Sequence, residues 1–369
     1  MEAKKITPTT INLSLKTLTP VHIGSGNELK LGIDYFYDAK NKQIGKADFN
    51  KMSGYIKDVN DWTNKIMKGE NIFKSLSYRD VRLEDICSEI LPVSEHKANY
   101  LFEFVRNQKT REPIIPGSSI KGAIRTALLA PALEKYYKDK AGEIIKNFYL
   151  YKKHDDRLLQ PILELKPEKK PNPQNNIFKF VQVSDASAKL SNLSVDIFQT
   201  LNMNSDENWY IKEPLTQNKE VFEGEVFFSL RIDDRFFEKN KLNITGLKDL
   251  FKTIHNHTIR LLNKEIENFK LDFDDGLFEN SKIGQDLIEQ LKNIKTQAEN
   301  QSGSFLMRTG AGSGWDYMTG AWFKEITDFK QWDDFVKLIR PKYNELPFPK
   351  TRRLTSELKM PGFVLLTIN

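Results

Sequence analysis

The sequence predicts an α+β protein with largely antiparallel sheets. Several short segments alternate apolar and polar residues, as strands with one buried face do. Two long segments carry apolar residues at helical spacing. The segments follow one another as strand, hairpin, helix, strand, strand, helix, helix, loop, strand. That order fits two related α+β units meeting near residues 200 to 220, with 1–215 carrying a helical insertion and 216–369 forming the second. One unit with long insertions fits almost as well.

The first strand is predicted in "INLSLKT", where Ile11, Leu13 and Leu15 alternate with Asn12, Ser14 and Lys16 before Pro20 and two glycines end the run. "GIDYFYDAKNKQIGKADF" reads as a hairpin turning at Lys40 to Gln43, and residues 55 to 105 as mixed and mostly helical. In "EPIIPGSSIKGAIRTALLA", Ile120, Ile124, Ala127 and Leu128 recur at helical spacing after a Pro116-Gly117 turn, so a helix is expected to start near Ser119. Pro131 is expected to kink or end it, with more helix to follow. "LKPEKKPNPQNN", residues 165 to 176, has no periodicity and is expected to be a loop or linker. "IFKFVQVSDAS" and "EVFEGEVFFSLRI" read as strands, the second with Phe222, Val226, Phe228, Leu230 and Ile232 on one face. Amphipathic helices follow over Leu247 to Phe269 and from about Ser281 to Glu299. "SFLMRTGAGSGWDYMTG" reads as a short strand with a glycine-rich loop, and "GFVLLTIN" as a buried strand.

At 369 residues and 39% hydrophobic, the chain can bury a core and falls outside the disordered class. Lys plus Arg exceed Asp plus Glu by 56 to 50, a net +6. The placement of these charges says more than their sum. Arg106, Lys109, Arg111, Lys121 and Arg125 face only Glu112 over residues 106 to 125, and Lys350, Arg352 and Arg353 cluster near the C-terminus. Local basic clusters are the footprint of a polyanion partner, although such runs more often are simply solvated. Cys87 is the one cysteine, which excludes an intrachain disulfide and a cysteine zinc site and favours a reducing compartment. With no apolar run long enough for a signal peptide or a spanning helix, a cytoplasmic location is expected. No cofactor or metal is expected either: His255 and His257 stand two apart on a predicted helix and point to different faces.

The helix start at Ser118 and Ser119 breaks a rule. Helix N-termini attract Asp and Glu, because their free N–H groups carry partial positive charge. Here Lys121 is expected in the first turn, with Arg125 one turn on. The order Gly117-x-x-x-Lys121-Gly122 does not match a nucleotide-binding P-loop. An RNA backbone phosphate would nevertheless fit the convergence of N–H groups, Lys121 and Arg125. "TPVHIGSG" sets His22 beside Gly24, Ser25 and Gly26 in a loop where backbone can approach a ligand. His22 could serve as a general base, though a lone histidine is more often a packing residue. In "RTGAGSGW", Arg308 precedes Gly310, Gly312 and Gly314, which suits close approach to a polyanion or a flexible turn.

"TPVHIGSG", "IPGSSIKGAIRTALL", "RTGAGSGW" and "FPKTRRL", in this order, resemble the RAMP superfamily of CRISPR-associated proteins, and within it subunits of type III-A effector complexes. The resemblance implies ferredoxin-like units related to RRM folds. It implies binding of CRISPR RNA at the end distal to its 5′ tag and contacts with neighbouring Csm backbone subunits. It further implies a part in maturing the RNA 3′ end, which host nucleases trim, without being the nuclease. The RNA-binding residues it marks are His22, Gly24, Gly26, Ser118, Ser119, Lys121, Arg125, Gly310, Gly312, Gly314, Lys350, Arg352 and Arg353, and Ser25 and Arg308 in the same two loops are expected to bind RNA with them. The alternative is a metal-independent endoribonuclease that processes CRISPR RNA, with His22 as general base and Lys121 or Arg125 stabilising the transition state.

Overall fold

The predicted first strand, β1 (Thr9–Thr17), occupies the centre of a five-stranded sheet in the computed structural model, which describes residues 8–68, 70, 73, 81–146, 156–166, 172–203, 209–270, 281–318, 321–339, 349 and 351–369. Its neighbours are β12 (Glu225–Ile232) and β15 (Phe363–Ile368), both antiparallel to it. β8 (Val181–Val183) flanks β12, and β13 (Ser304–Arg308) flanks β15. Helix α1 (Gly117–Tyr137) lies between β1 and β8 in sequence, and α2 (Leu247–Lys270) between β12 and β15. Taken in chain order, β1, α1, β8, β12, α2 and β15 form a β-α-β-β-α-β unit with spatial strand order 4-1-3-2, the ferredoxin-like arrangement.

The face of this sheet that carries Leu13, Leu15, Val226, Phe228, Leu230, Ile232, Val364 and Leu366 packs on Ile120 and Ile124 of α1 and on Leu250, Phe251 and Ile254 of α2. On the opposite side, Leu306, Phe363 and Leu365 meet Leu287, Leu291 and Ile294 of α3 (Lys282–Asn300). β15 is therefore covered on both faces, as its unbroken apolar run implies.

A second five-stranded sheet has the order β14 (Thr351–Leu354), β10 (Leu193–Met203), β11 (Trp209–Phe222), β6 (Tyr100–Phe104), β2 (Gly24–Lys30). β6 and β11 run parallel, and the other pairs are antiparallel. The third sheet, β3 (Tyr35–Asp38), β4 (Gln43–Ala47) and β5 (Cys87–Pro92), contains the predicted hairpin. β7 (Ile114–Ile115) pairs with β9 (Ala186–Ser187).

Several expectations change. Residues 55 to 105 are not mostly helical. Helices Val59–Met67 and Leu83–Ile86 are followed by β5 and β6, because "CSEILP" and "YLFEF" are short apolar runs that pair with neighbours in space. "EVFEGEVFFSLRI" is two strands rather than one, with β11 ending at Phe222 and β12 starting at Glu225. β10 and β11, among the longest strands described, were not anticipated from sequence. Pro131 sits inside α1, which continues to Tyr137. Residues 167–171 of the expected 165–176 loop lie outside the described residues. The expected junction at 215/216 falls within β11, and the first sheet draws strands from both sides of it.

A buried ionic cluster fastens the small sheet to the second sheet. Lys46 of β4 lies 2.6 Å from Glu220, 2.9 Å from Glu103 and 3.5 Å from Glu89. Arg106 lies 2.6 Å from Glu89 and 3.0 Å from Glu220. Two cations among three carboxylates meet where β4, β5, β6 and β11 converge.

Candidate functional site

The chain from β1 crosses to the second sheet through Pro20 to Ile23 and enters β2 at Gly24. Gly24, Ser25 and Gly26 are exposed, and Gly26 has φ +91°. Ser25 Oγ and Asn27 Nδ2 both donate to Glu103 Oε2, at 3.2 and 2.9 Å. Glu103 thus links this loop to the ionic cluster. Burial pushes its carboxyl pKa up, but hydrogen bonds from Asn27 and Lys46 and the charges of Lys46 and Arg106 hold it below the usual value.

His22 is turned inward, with 2% exposure. Its Nδ1 lies 2.6 Å from the Glu220 carbonyl, which can only accept, so Nδ1 carries the proton. A Cβ on Gly24 would lie 3.2 Å from its Nε2, so that nitrogen faces the chain's own backbone. The ring packs edge-on against Phe104 and Phe198 at 6.2 and 6.1 Å. Burial, and next the Lys219 charge, lower its pKa to about 4, against a hydrogen bond to Glu220 that raises it. In this setting His22 is a neutral packing residue that anchors the loop.

Helix α1 starts at Gly117 with Pro116 as N-cap and no capping side chain from Ser118 or Ser119. The Asp185 carboxylate takes the Gly117 N–H at 2.8 Å. The chain therefore supplies an anion of its own at this helix start, two residues earlier than expected. Ser118 is exposed and Ser119 half-buried. Lys121 lies beyond the first turn, half-buried, and among the described residues it enters no ion pair. Burial, then the neighbouring Arg125 charge, lower its pKa from the usual lysine value. Arg125 is half-buried one turn further on.

The glycine-rich loop leaves β13 and folds onto the first loop. Ala311 N donates to His22 O at 2.7 Å. Gly310, at φ +84°, approaches so closely that a Cβ there would meet His22 O at 2.8 Å. Gly312, at φ +86°, would meet Pro361 at 2.9 Å and Arg353 at 3.2 Å. Both positions require glycine for conformation and for space. Gly314 also has positive φ, with open space around it.

These three segments, remote in sequence, wall one cleft of about 320 Å³, lined by Ile23, Gly24, Ser119, Ala123, Arg308 to Ala311, Ser313 and Tyr317. Arg308 lies in the wall, buried. The C-terminal basic group divides. Arg352 is interior, with Nε 2.8 Å from Glu265 and Nη2 3.5 Å from Asp316, so its charge is answered within the fold. Arg353 is half-buried beside the glycine loop and donates to Thr200 Oγ1 and to Leu215 O. Lys350 lies outside the described residues. Arg106, counted above in a basic patch, is buried in the ionic cluster.

Lys219 was missed by sequence reading. Its Nζ stands 4.5 Å from the Phe102 ring and 5.5 Å from Phe198. Burial, then Arg353, lower its pKa to about 8, with Glu28 opposing. Strand register brings Lys219 to these rings: β11 places it opposite Phe102 of β6. Among the described residues no group of three or more His, Cys, Asp or Glu side chains could hold a metal ion, and no helix is long and apolar enough to cross a membrane.

A family model described as the RAMP superfamily matches residues 14–301. A curated relative, "CRISPR system Cms protein Csm5" of Streptococcus thermophilus, is 28% identical over 197 residues, covering 48% of this chain. The chain spans about half the length of that relative, 51%. A chain from the cryo-EM structure of a Csm-crRNA-target RNA ternary complex in a type III-A CRISPR-Cas system matches over 98% of this chain and 100% of its own, at 19% identity and a TM-score of 0.70. The crystal structure of T. onnurineus Csm5 matches over 95% of this chain and 99% of its own, at 18% identity and a TM-score of 0.66. At these identities the two structures establish a shared fold.

Proposed function

The chain belongs to the RAMP superfamily, and on that premise we propose that it is a non-catalytic CRISPR-RNA-binding and assembly subunit of a type III-A (Csm) interference complex in antiviral defence. It caps the 3′-end side of the guide RNA, contacts neighbouring Csm subunits and supports maturation by host nucleases that trim the RNA. One observation carries the RNA-binding reading. The loop after β1, helix α1 and the glycine-rich loop converge on one cleft with Arg308 in its wall, Lys121 and Arg125 lie on α1, which supplies Ser119 and Ala123 to it, and Arg353 stands beside Gly312. The likeness to Csm5 proteins and to a chain of a Csm-crRNA complex supports the choice of partner.

The endoribonuclease alternative rests on His22 as base. Its burial, its bond to Glu220 O and its lowered pKa leave it without access to a substrate hydroxyl. Incubating the purified chain with repeat RNA in EDTA distinguishes the readings: stable binding without cleavage is expected, and cleavage that disappears in His22→Ala would establish the enzyme. Because the contacts are directed at phosphates, affinity should fall with salt. For three to five neutralised phosphates, the slope of log affinity against log salt should be about −2 to −3.5. An affinity indifferent to salt would reject the phosphate contacts.

A further inference from the structure

We infer that the open face of the ferredoxin-like sheet is a stacking platform for an unpaired base of single-stranded RNA, with the Phe227 ring at its centre. β1 and β12 alternate in register, so Leu13 and Leu15 of β1 and Val226 and Phe228 of β12 face the helices, and the residues between them face away. On that far face α3 covers β13 and β15 through Leu306, Phe363 and Leu365. β1, β12 and β8 are left open there: Asn12, Lys16, Glu225, Arg231 and Gln182 are exposed, and Phe227 is 63% exposed among them. The cross-strand partner of Phe227 is Ser14, a side chain too small to cover an aromatic ring.

The surroundings decide what the ring receives. The centre of a protein interface is apolar and depleted in charge. Among the described residues, Phe227 is the one large apolar side chain that these three strands expose on this face. Its outward neighbours are Glu225 and Ser229 on its own strand, and Asn12 and Lys16 diagonally across on β1. A lone aromatic framed by polar groups suits a ligand that is apolar on its flat faces and polar along its edge, which is a nucleobase. The Asn12 amide and the Ser229 hydroxyl can pair with such an edge. Lys16 and Arg231, set against the one carboxylate of these strands, Glu225, favour the flanking phosphates. Helix α1, which supplies Ser119 and Ala123 to the cleft, packs on the other face of the sheet, so the platform is a separate contact. That the base belongs to RNA rests on the function proposed above.

The test uses the full chain and two labelled single strands of equal length, one of RNA and one of abasic ribose phosphate, which carry the same charge and differ in their bases. Binding is measured for wild type, Phe227→Thr and Phe227→Tyr. Wild type should bind RNA about tenfold more tightly than the abasic strand. Phe227→Thr should lose most of that preference while keeping its salt slope and its Tm, because it removes an exposed ring that pairs with no phosphate and retains strand propensity. Phe227→Tyr should retain the preference. A preference that survives in Phe227→Thr, or salt-dependent binding of both strands alike by wild type, would overturn the platform and leave the phosphate-directed function standing. Binding of neither strand by wild type would refute the RNA-binding function and the platform with it. Unchanged RNA affinity in Phe227→Thr, with loss of co-purification with neighbouring Csm subunits, would overturn the platform in favour of a protein contact.

Discussion

Lys219 and His22 sit side by side and titrate for opposite uses. Lys219 has a folded pKa of about 8, below the ordinary 10.5, so folding disfavours its protonated form. The unfolded chain then holds more protons between about pH 8 and 10.5, and this group's contribution to stability rises with pH across that window. Phosphate binding needs the protonated form. RNA affinity should therefore decline above about pH 8 while the Tm contribution moves upward, and Lys219→Met should flatten the affinity profile; an unchanged slope in that variant would remove Lys219 from the interface. His22, with a folded pKa of about 4, and His257, at about 3, are both neutral in the fold. Their contribution is complete above the unfolded value of 6.5 and is lost as pH falls toward 4, because the unfolded chain takes up the protons first. A Tm that climbs between pH 4 and 6.5, with a shallower climb in His22→Phe, is the expected result.

At the scale of single elements, α1 separates helix stability from ligand binding. Asp185 already answers the Gly117 N–H, and Lys121 lies beyond the first turn, so a glutamate at 121 gains little from the helix dipole. It would exchange the like-charged Lys121–Arg125 pair for an opposite one at i,i+4, worth a few tenths of a kcal/mol. Lys121→Glu should thus hold its Tm and still weaken RNA binding by about tenfold, as measured by calorimetry and fluorescence anisotropy. Unchanged affinity would make Lys121 a solvated surface lysine. Gly117→Ala inverts the usual helix preference. Its Cβ would lie 2.2 Å from Val183 O, a backbone atom that cannot rotate away. Loss of about 2 kcal/mol or more is expected in a denaturant melt, where propensity alone predicts a gain of about 1 kcal/mol.

Over the whole molecule, the ferredoxin-like sheet closes only when the two ends of the chain meet. β1 pairs with β12 on one edge and with β15 on the other, and the loop after β1 bears on Gly310 and Ala311. A fragment of residues 1–215 keeps β1 and loses both of its partners. Expressed alone, it should show no cooperative unfolding transition, and co-expression with 216–369 should restore one. A cooperative melt of 1–215 by itself would establish an independent N-terminal unit. The ionic cluster acts at the same scale, because Lys46→Met would leave Glu89, Glu103 and Glu220 sharing Arg106. A loss of about 3 kcal/mol is expected, as for other buried pairs broken on one side.

The amino-acid sequence by itself determined the elements whose signal is local. Period-two alternation marked β1 and β12, an unbroken apolar run marked β15, and period-3.6 patterning marked α1, α2 and α3, all of which follow from how consecutive side chains are displayed on a strand or a helix. It also marked the glycine positions at 24–26 and 310–314 and the family resemblance. Only the tertiary structure decided what each charged residue faces. Arg352 and Arg106 read like Lys121 as exposed cations, yet Glu265 and Glu220, 87 and 114 residues away, draw them inside. His22 became an anchor and Lys219 a neighbour of Phe102 and Phe198 for the same reason: strand register sets their partners, and register depends on hydrogen bonds between segments that no local pattern relates.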